Sequence, residues 1–356
     1  MSKRDVKCQV LCCTYNHKNF IKDALDGFIM QKTNFPFEVL VGDDCSTDGT
    51  SDIVAEYAQK YPEIIKHIKR EKNLGGQENS FDLLRKIDAD YLALCEGDDY
   101  WTDPNKLQKQ IDFLESNKQL NGCFHNAEII KEPGVKSWNF DFNFPPDENG
   151  KQYWPNSIKD FKSNKKIFTM DDIIGGIIPT ASIVYRYDKT IKYPEWFKTC
   201  VAGDRPMHCF MLKSGGFGYI NETMSVYRVS PSGSWFKKNG NHVNPQETAD
   251  WIELLTNIDN YFDNKFSAAF EQHKEATFNT AMTKALKQKD IEPVSVLIKK
   301  YPKYFYKFLK IKNNNSSYNK TIYKVIGIPV WKIIVRGNNI SHYLFGLIKI
   351  IEAKKY

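Results

Sequence analysis

The first hundred residues alternate, with little slack, between short apolar runs and segments whose apolar residues recur at helical spacing. Residues 7–13 (KCQVLCC), 37–42 (FEVLVG), 64–68 and 91–95 are short, apolar and bounded by polar turns, so they read as strands. Between them, Phe20, Ala24, Leu25 and Phe28 form one helical stripe, and Ile53, Val54, Tyr57 and Ala58 form another that ends before Pro62. Residues 79–87 supply a third helix after the turn at Asn73-Leu74-Gly75-Gly76. Strands that alternate with helices pair in parallel through crossovers, so the expected fold class is α/β.

In such sheets ligands gather outside the carboxyl ends of the strands. Three strands here end in polar signatures: Thr14-Tyr15-Asn16, Asp43-Asp44 and Cys95-Glu96-Gly97-Asp98-Asp99. Three acids within four residues at a strand end are costly unless they are paired or hold a cation. Mg²⁺ or Mn²⁺ with a phosphorylated substrate is the natural candidate, because these ions take one or two carboxylates plus phosphate oxygens. Asp103-Pro104 and a helical run follow, which places the acids on an expected strand-to-helix turn. The chain has no GxGxxG after its first strand and no GxxxxGK[ST] at all, which argues against a Rossmann dehydrogenase and a P-loop NTPase.

At 356 residues, 41% of them hydrophobic, the chain has material for a large core and an appendage. None of its eight cysteines has zinc-ligand spacing, and several lie in apolar runs, so buried thiols in a reducing cytosol are expected. No apolar run has the length of a membrane span, and the N-terminus has no signal-peptide core. From Lys299 onward there are thirteen Lys/Arg and one acid. That is a net +12 against +7 for the whole chain, which leaves −5 for residues 1–298. The basic character belongs to the tail.

The segments CCTYNHKNFIKDALDGFIMQ, VLVGDDCSTDGTSDIV, NLGGQEN and LCEGDDYWTDPNKLQKQIDFL resemble, in order and spacing, the N-terminal half of family 2 glycosyltransferases. The resemblance is strong over about residues 6–120 and looser over 167–235. It implies a GT-A-type, Rossmann-like mixed sheet flanked by helices and followed by a C-terminal helical extension. It also implies an inverting transfer of the bacterial glycan, capsule or lipopolysaccharide type. Asp99 matches the ligand of a divalent metal, Mn²⁺ or Mg²⁺, with Asp98 nearer the ribose or the metal's water shell. Asp44 matches a base- or ribose-contacting aspartate, a role also open to Asp43 or Asp48. Cys13 (where the family usually has proline), Thr14, Tyr15 and Asn16 fall where the nucleotide packs, and Lys72 and Asn73 lie near the donor. Asp204, after Ala202-Gly203, resembles the base that deprotonates the acceptor. Tyr227-Arg228 resembles a segment that commonly continues with histidine. Here that position is Ser230, leaving Arg228 or nearby serines as stand-ins. The plain alternatives are helix caps for Asp98, Asp99 and Asp204, and an Asx turn for Asp44.

Residues 131–166 break the rhythm and are expected to form an irregular insertion or lid. Thr169 is expected to cap a short helix, and strands are expected at 181–185, 218–220 and 224–228, with helices from Pro245. The expected domains are 1–235 catalytic, 236–312 helical and 313–356 a basic amphipathic tail. Basic and aromatic residues interleave over 297–310, which suits an anionic membrane surface, with packing on the domain as the rival explanation. The expected activity is sugar transfer from a nucleoside-diphosphate donor, a UDP-sugar foremost, to a glycan or lipid-linked acceptor. The expected location is the cytoplasm, with attachment to the inner face of its membrane as the extension of the tail reading. The alternatives are a nucleotidyltransferase that makes the sugar nucleotide, or a non-catalytic nucleotide-sugar or membrane-binding module. No nucleic-acid partner is expected.

Overall fold

The structure is a computed structural model that describes residues 6–135, 147–154, 167–175, 178–212, 215–230, 243–288, 290–308, 320–325, 328–336, 339–344 and 348–354. Strands β1 (Cys8–Thr14), β2 (Phe37–Asp43), β3 (Ile65–Lys69) and β4 (Tyr91–Leu94) pair in parallel in the order β3-β2-β1-β4. Helices α1 (Ile21–Ile29), α2 (Thr50–Lys60) and α3 (Gly76–Leu84) make the crossovers. Val10, Cys12, Val39, Val41 and Ala93 form one core with Ile21, Leu25, Phe28 and Val54 of the helices. Emptying one such position, as in Phe28→Ala, costs about 3–5 kcal/mol. The α/β expectation is met across this half.

Beyond β4 the sheet becomes mixed. β9 (Val184–Arg186) runs antiparallel between β4 and β6 (Gly122–Lys131), and β6 runs parallel to β10 (Phe217–Val229). β7 (Gln152–Trp154) adds to β6, and β8 (Ile167–Phe168) adds to β10.

The acids do not lead straight into a helix. A two-residue strand, β5 (Tyr100–Trp101), intervenes and pairs antiparallel with Val226 and Ser225 of β10 before α4 (Lys106–Ser116) begins. Trp101 explains the detour. Its buried ring packs edge-on against Phe28 at 4.9 Å, and its Nε1–H needs the Ala181 carbonyl at 2.9 Å. The two short strands expected at 218–220 and 224–228 are one thirteen-residue strand, whose polar middle is a register irregularity between Ile220 and Ser225. Of the expected insertion, residues 131 and 152–154 belong to the sheet, whereas 136–146 and 155–166 lie outside the described residues, so the lid expectation falls there. Thr169 caps α5 (Met170–Ile173) as expected: its N–H and hydroxyl both donate to Asp172 Oδ2, at 2.8 and 3.0 Å. Helix α6 (Asp204–Leu212) follows.

The chain divides into two compact units, Met1–Gly240 with Asn257–Phe270, and Asn241–Thr256 with Glu271–Tyr356. The second unit draws on α7 (Pro245–Tyr261), α8 (Ser267–Gln288), α9 (Ile291–Lys300) and α10 (Pro302–Phe308). It also contains four antiparallel strands, β11 (Lys320–Val325), β12 (Ile328–Arg336), β13 (Asn339–Leu344) and β14 (Ile348–Lys354), paired in chain order. The described part of residues 313–356 is a sheet, grouped in one unit with helices from Glu271 onward. The basic–aromatic run is divided as well. Leu297, Tyr304 and Phe305 are buried in this unit's core, and Lys303 and Lys307 pair with Glu271 and Glu275. Packing accounts for those residues. No helix among the described residues is long and apolar enough to cross a membrane.

Candidate active site

β1, β2 and β4 deliver their carboxyl ends side by side, with Thr14 in register with Asp43. The last residues of β1 hold both neighbouring loops. The Thr14 carbonyl accepts the Asp44 N–H at 3.0 Å, and the Cys13 carbonyl accepts the Gly97 N–H at 2.9 Å. A Cβ on Gly97 would stand 2.6 Å from Thr14 Oγ1 and 2.8 Å from Thr14 Cβ, so only glycine lets the acidic loop approach β1 this closely. The buried Thr14 hydroxyl has no protein partner. Tyr15 is 44% exposed beside it. Burial, followed by the Glu96 charge, pushes the half-buried Cys13 thiol up to about 12, so it remains a neutral packing group.

Other candidates have structural partners. Asn16 adopts a left-handed φ of 55°, its N–H donates to Ser46 Oγ at 3.0 Å, and its Oδ1 accepts the Thr47 N–H at 2.8 Å. It fastens one βα turn to the next. Asp48 takes the N–H groups of Thr50 and Lys18, both at 2.9 Å. Asp43 is fully buried 3.6 Å from His67; burial opposes its charge, but contacts from His67, Ser46 and Ser51 hold its carboxyl well below the ordinary range. Asp44 accepts the Leu74 and Gly75 N–H groups at 2.7 and 2.8 Å, and the Asn73 side chain donates to the Asp44 carbonyl at 3.2 Å. Asp44 and Asn73 thus shape the donor-side turn, and the remaining lone pairs of the Asp44 carboxylate can still accept from a base or ribose. Lys72 is exposed on that turn.

Asp99 is 1% exposed; its Oδ1 accepts the Arg228 N–H at 2.9 Å, and its Oδ2 is buried without a partner. Burial, then the Asp98 charge, pushes its carboxyl well above the carboxylate range. A cation would reverse that shift, and an orphaned buried carboxylate oxygen is the kind of ligand it requires. Asp98 Oδ2 lies 3.8 Å from His17 Nε2. Burial, then the charges of Asp98 and Asp204, pushes the Glu96 carboxyl up to about 8, a rise its solvent-facing side works against. Asp204 stands at the first position of α6, where its Oδ1 accepts the Arg205 N–H at 2.7 Å. Among the described residues no three His, Cys, Asp or Glu side chains group as a complete metal cage. The pair Asp98–Asp99 fits a cation that takes its other ligands from a diphosphate and water.

Two residues matter more than the sequence reading allowed. Burial and then the charges of Asp99, Asp98, Glu96 and Asp204 all raise the Tyr227 hydroxyl's pKa, and its ring packs edge-on against Trp154 at 5.1 Å. Arg228 does not turn toward a phosphate. Its side chain is 7% exposed, NH1 donates to the Asp98 carbonyl at 3.0 Å, and NH2 meets Asp23 at 2.7 Å. The only sequence signal for either was the Tyr227-Arg228 pair itself, because their partners lie far away in the chain.

Residues 9–178 match the model of the family described as glycosyl transferase family 2. An uncharacterized protein of Mycobacterium tuberculosis is 37% identical over 227 residues, which is 64% of this chain and 60% of the relative's own length. A putative teichuronic acid biosynthesis glycosyltransferase of Bacillus subtilis is 32% identical over 105 residues, 30% of this chain and 40% of that protein. The S. aureus TarS structure in complex with UDP-GlcNAc superposes with a TM-score of 0.53 at 20% identity, covering 85% of this chain and 80% of that one. This last likeness concerns the fold.

Proposed function

The chain belongs to glycosyl transferase family 2, and on that premise we propose that it moves a sugar from a nucleoside-diphosphate donor to a glycan or lipid-linked acceptor, with inversion and with a divalent metal. The observation that carries the reading is the pair Asp98–Asp99 in the loop after β4, with one Asp99 oxygen buried and unpartnered, beside Glu96, whose carboxyl is raised in part by the charge of Asp204. UDP is the preferred nucleotide because TarS, which shares the fold, was solved with UDP and with UDP-GlcNAc. The relative named for teichuronic acid biosynthesis supports a saccharide as acceptor.

In this reading Asp99, with Asp98 beside it, holds Mn²⁺ or Mg²⁺, which when bound neutralises the departing diphosphate. Thr14 and exposed Tyr15 line the nucleotide, and Asp44 holds the turn that carries Lys72 and Asn73 against the donor. Asp204 takes the proton from the acceptor hydroxyl as that oxygen attacks the anomeric carbon, and the nucleoside diphosphate leaves from the opposite face.

The test is turnover of a UDP-sugar panel with Mn²⁺. Asp99→Ala and Asp204→Asn are each expected to lower turnover by about 10²-fold or more, with Asp204→Asn keeping donor binding. Undiminished turnover in Asp204→Asn removes that residue as base, and turnover indifferent to chelator removes the metal.

A further inference from the structure

We infer that Arg228 is the positioning residue of the acidic loop, fixing the peptide between Asp98 and Asp99 so that the free Asp99 oxygen faces the cation. The inference rests on the metal reading above and goes beyond it.

Two grips act on adjacent residues of the loop. The Arg228 main-chain N–H holds Asp99 Oδ1 at 2.9 Å, and its guanidinium NH1 holds the Asp98 carbonyl at 3.0 Å. Residue 228 therefore fixes both the carboxylate that would bind the ion and the peptide group just before it. The guanidinium is itself held. NH2 pairs with Asp23 of α1 at 2.7 Å, Nε lies 3.0 Å from Glu132 beyond β6, and the rings of Phe20 and Tyr100 flank the plane at 4.8 and 5.0 Å. The planar fork donates to the Asp98 carbonyl and to Asp23 together, with Glu132 as a charge partner of an Nε that makes no hydrogen bond, whereas an ammonium offers no such geometry. α1, β5, the end of β6 and β10 thus meet on one side chain. Without the guanidinium the Asp98 carbonyl loses its donor, and the main-chain N–H alone is left to orient the Asp99 carboxylate. Groups that orient metal ligands in this way typically contribute 10–100-fold to metal affinity.

The experiment is a Mn²⁺ titration of the full chain in excess UDP, followed by the EPR signal of free Mn²⁺, alongside thermal unfolding without metal. Arg228→Met is expected to weaken Mn²⁺ by about tenfold or more. Arg228→Lys, which keeps the charge and loses the fork, is expected to recover only part of that loss. The double variant Asp23→Asn/Glu132→Gln leaves the arginine in place, unfastens it and is expected to shift Mn²⁺ affinity in the same direction. It also carries the test if Arg228→Met fails to fold. Wild-type Mn²⁺ affinity in folded Arg228 variants, or a lowered melting temperature alone, overturns the positioning role. If the wild-type chain with UDP takes up no Mn²⁺, the metal reading itself fails, an outcome distinct from a variant that matches a metal-binding wild type.

Discussion

Lys106 shows what a single residue can reveal when its setting conflicts with its chemistry. It opens α4 with no exposed surface, its ammonium 4.0 Å above the Trp101 ring, and Gln110 Oε1 accepts its proton at 2.7 Å. The cation–π contact and one hydrogen bond do not replace full hydration. Burial accordingly lowers its pKa to about 8. Because the folded value lies below the unfolded one, the unfolded chain binds more protons between about pH 8 and 10.5, so stability rises with pH across that window. Below pH 8 both states carry the proton and the full cost remains. The stability difference between wild type and Lys106→Met is therefore expected to move by about 3 kcal/mol in favour of wild type between pH 7 and 10.5. Urea unfolding at several pH values measures it, and a flat difference would mean that Lys106 is solvated.

At the level of elements, the fastening of one βα turn to the next can be tested directly. Asn16 holds a left-handed conformation at φ 55° while its side chain accepts the Thr47 N–H. Alanine loses the hydrogen bond and strains the backbone, whereas glycine loses only the bond. Asn16→Ala is expected to cost about 1–2 kcal/mol and Asn16→Gly clearly less, as read by chemical denaturation. Equal losses would show that the side chain, not the backbone, is what matters. The same distinction between local and distant contacts explains what the sequence made legible. β1 to β4 and α1 to α3 declare themselves because each apolar run and stripe is written in consecutive residues. β5 does not, since two residues form a strand only through β10, more than a hundred positions away. β6, with His125, Asn126 and Glu128 inside it, lacks a clean alternation. Asp98 and Asp99 were readable as a site because they cluster in the chain. The role of Arg228 was not, since Asp23 lies 205 positions from it. Asn16 and Gly97 both sit in recognisable motifs, but only the packing shows that one fastens turns and the other admits the close approach of a loop.

Across the whole molecule, cation and nucleotide are expected to act as one ligand. Asp98 and Asp99 offer the ion too few oxygens to complete its shell, and the diphosphate supplies the remainder only when it is bound. In the proposed reading the nucleotide would in turn lie against Asp98 and Asp99, whose charge opposes its phosphates until an ion is present. Linkage makes this reciprocal: whatever factor UDP adds to Mn²⁺ affinity, Mn²⁺ adds to UDP affinity. Each ligand alone is therefore expected to stabilise the fold weakly. The two together at about a hundred times their joint dissociation constant are expected to add about 2.7 kcal/mol, a shift of several degrees in melting temperature. Asp99→Asn should abolish the synergy while leaving the small shift from UDP alone, since Thr14, Tyr15 and Asp44 do not depend on the ion. Additive shifts in the wild-type chain would separate the nucleotide from the metal and assign the buried Asp99 oxygen a different partner.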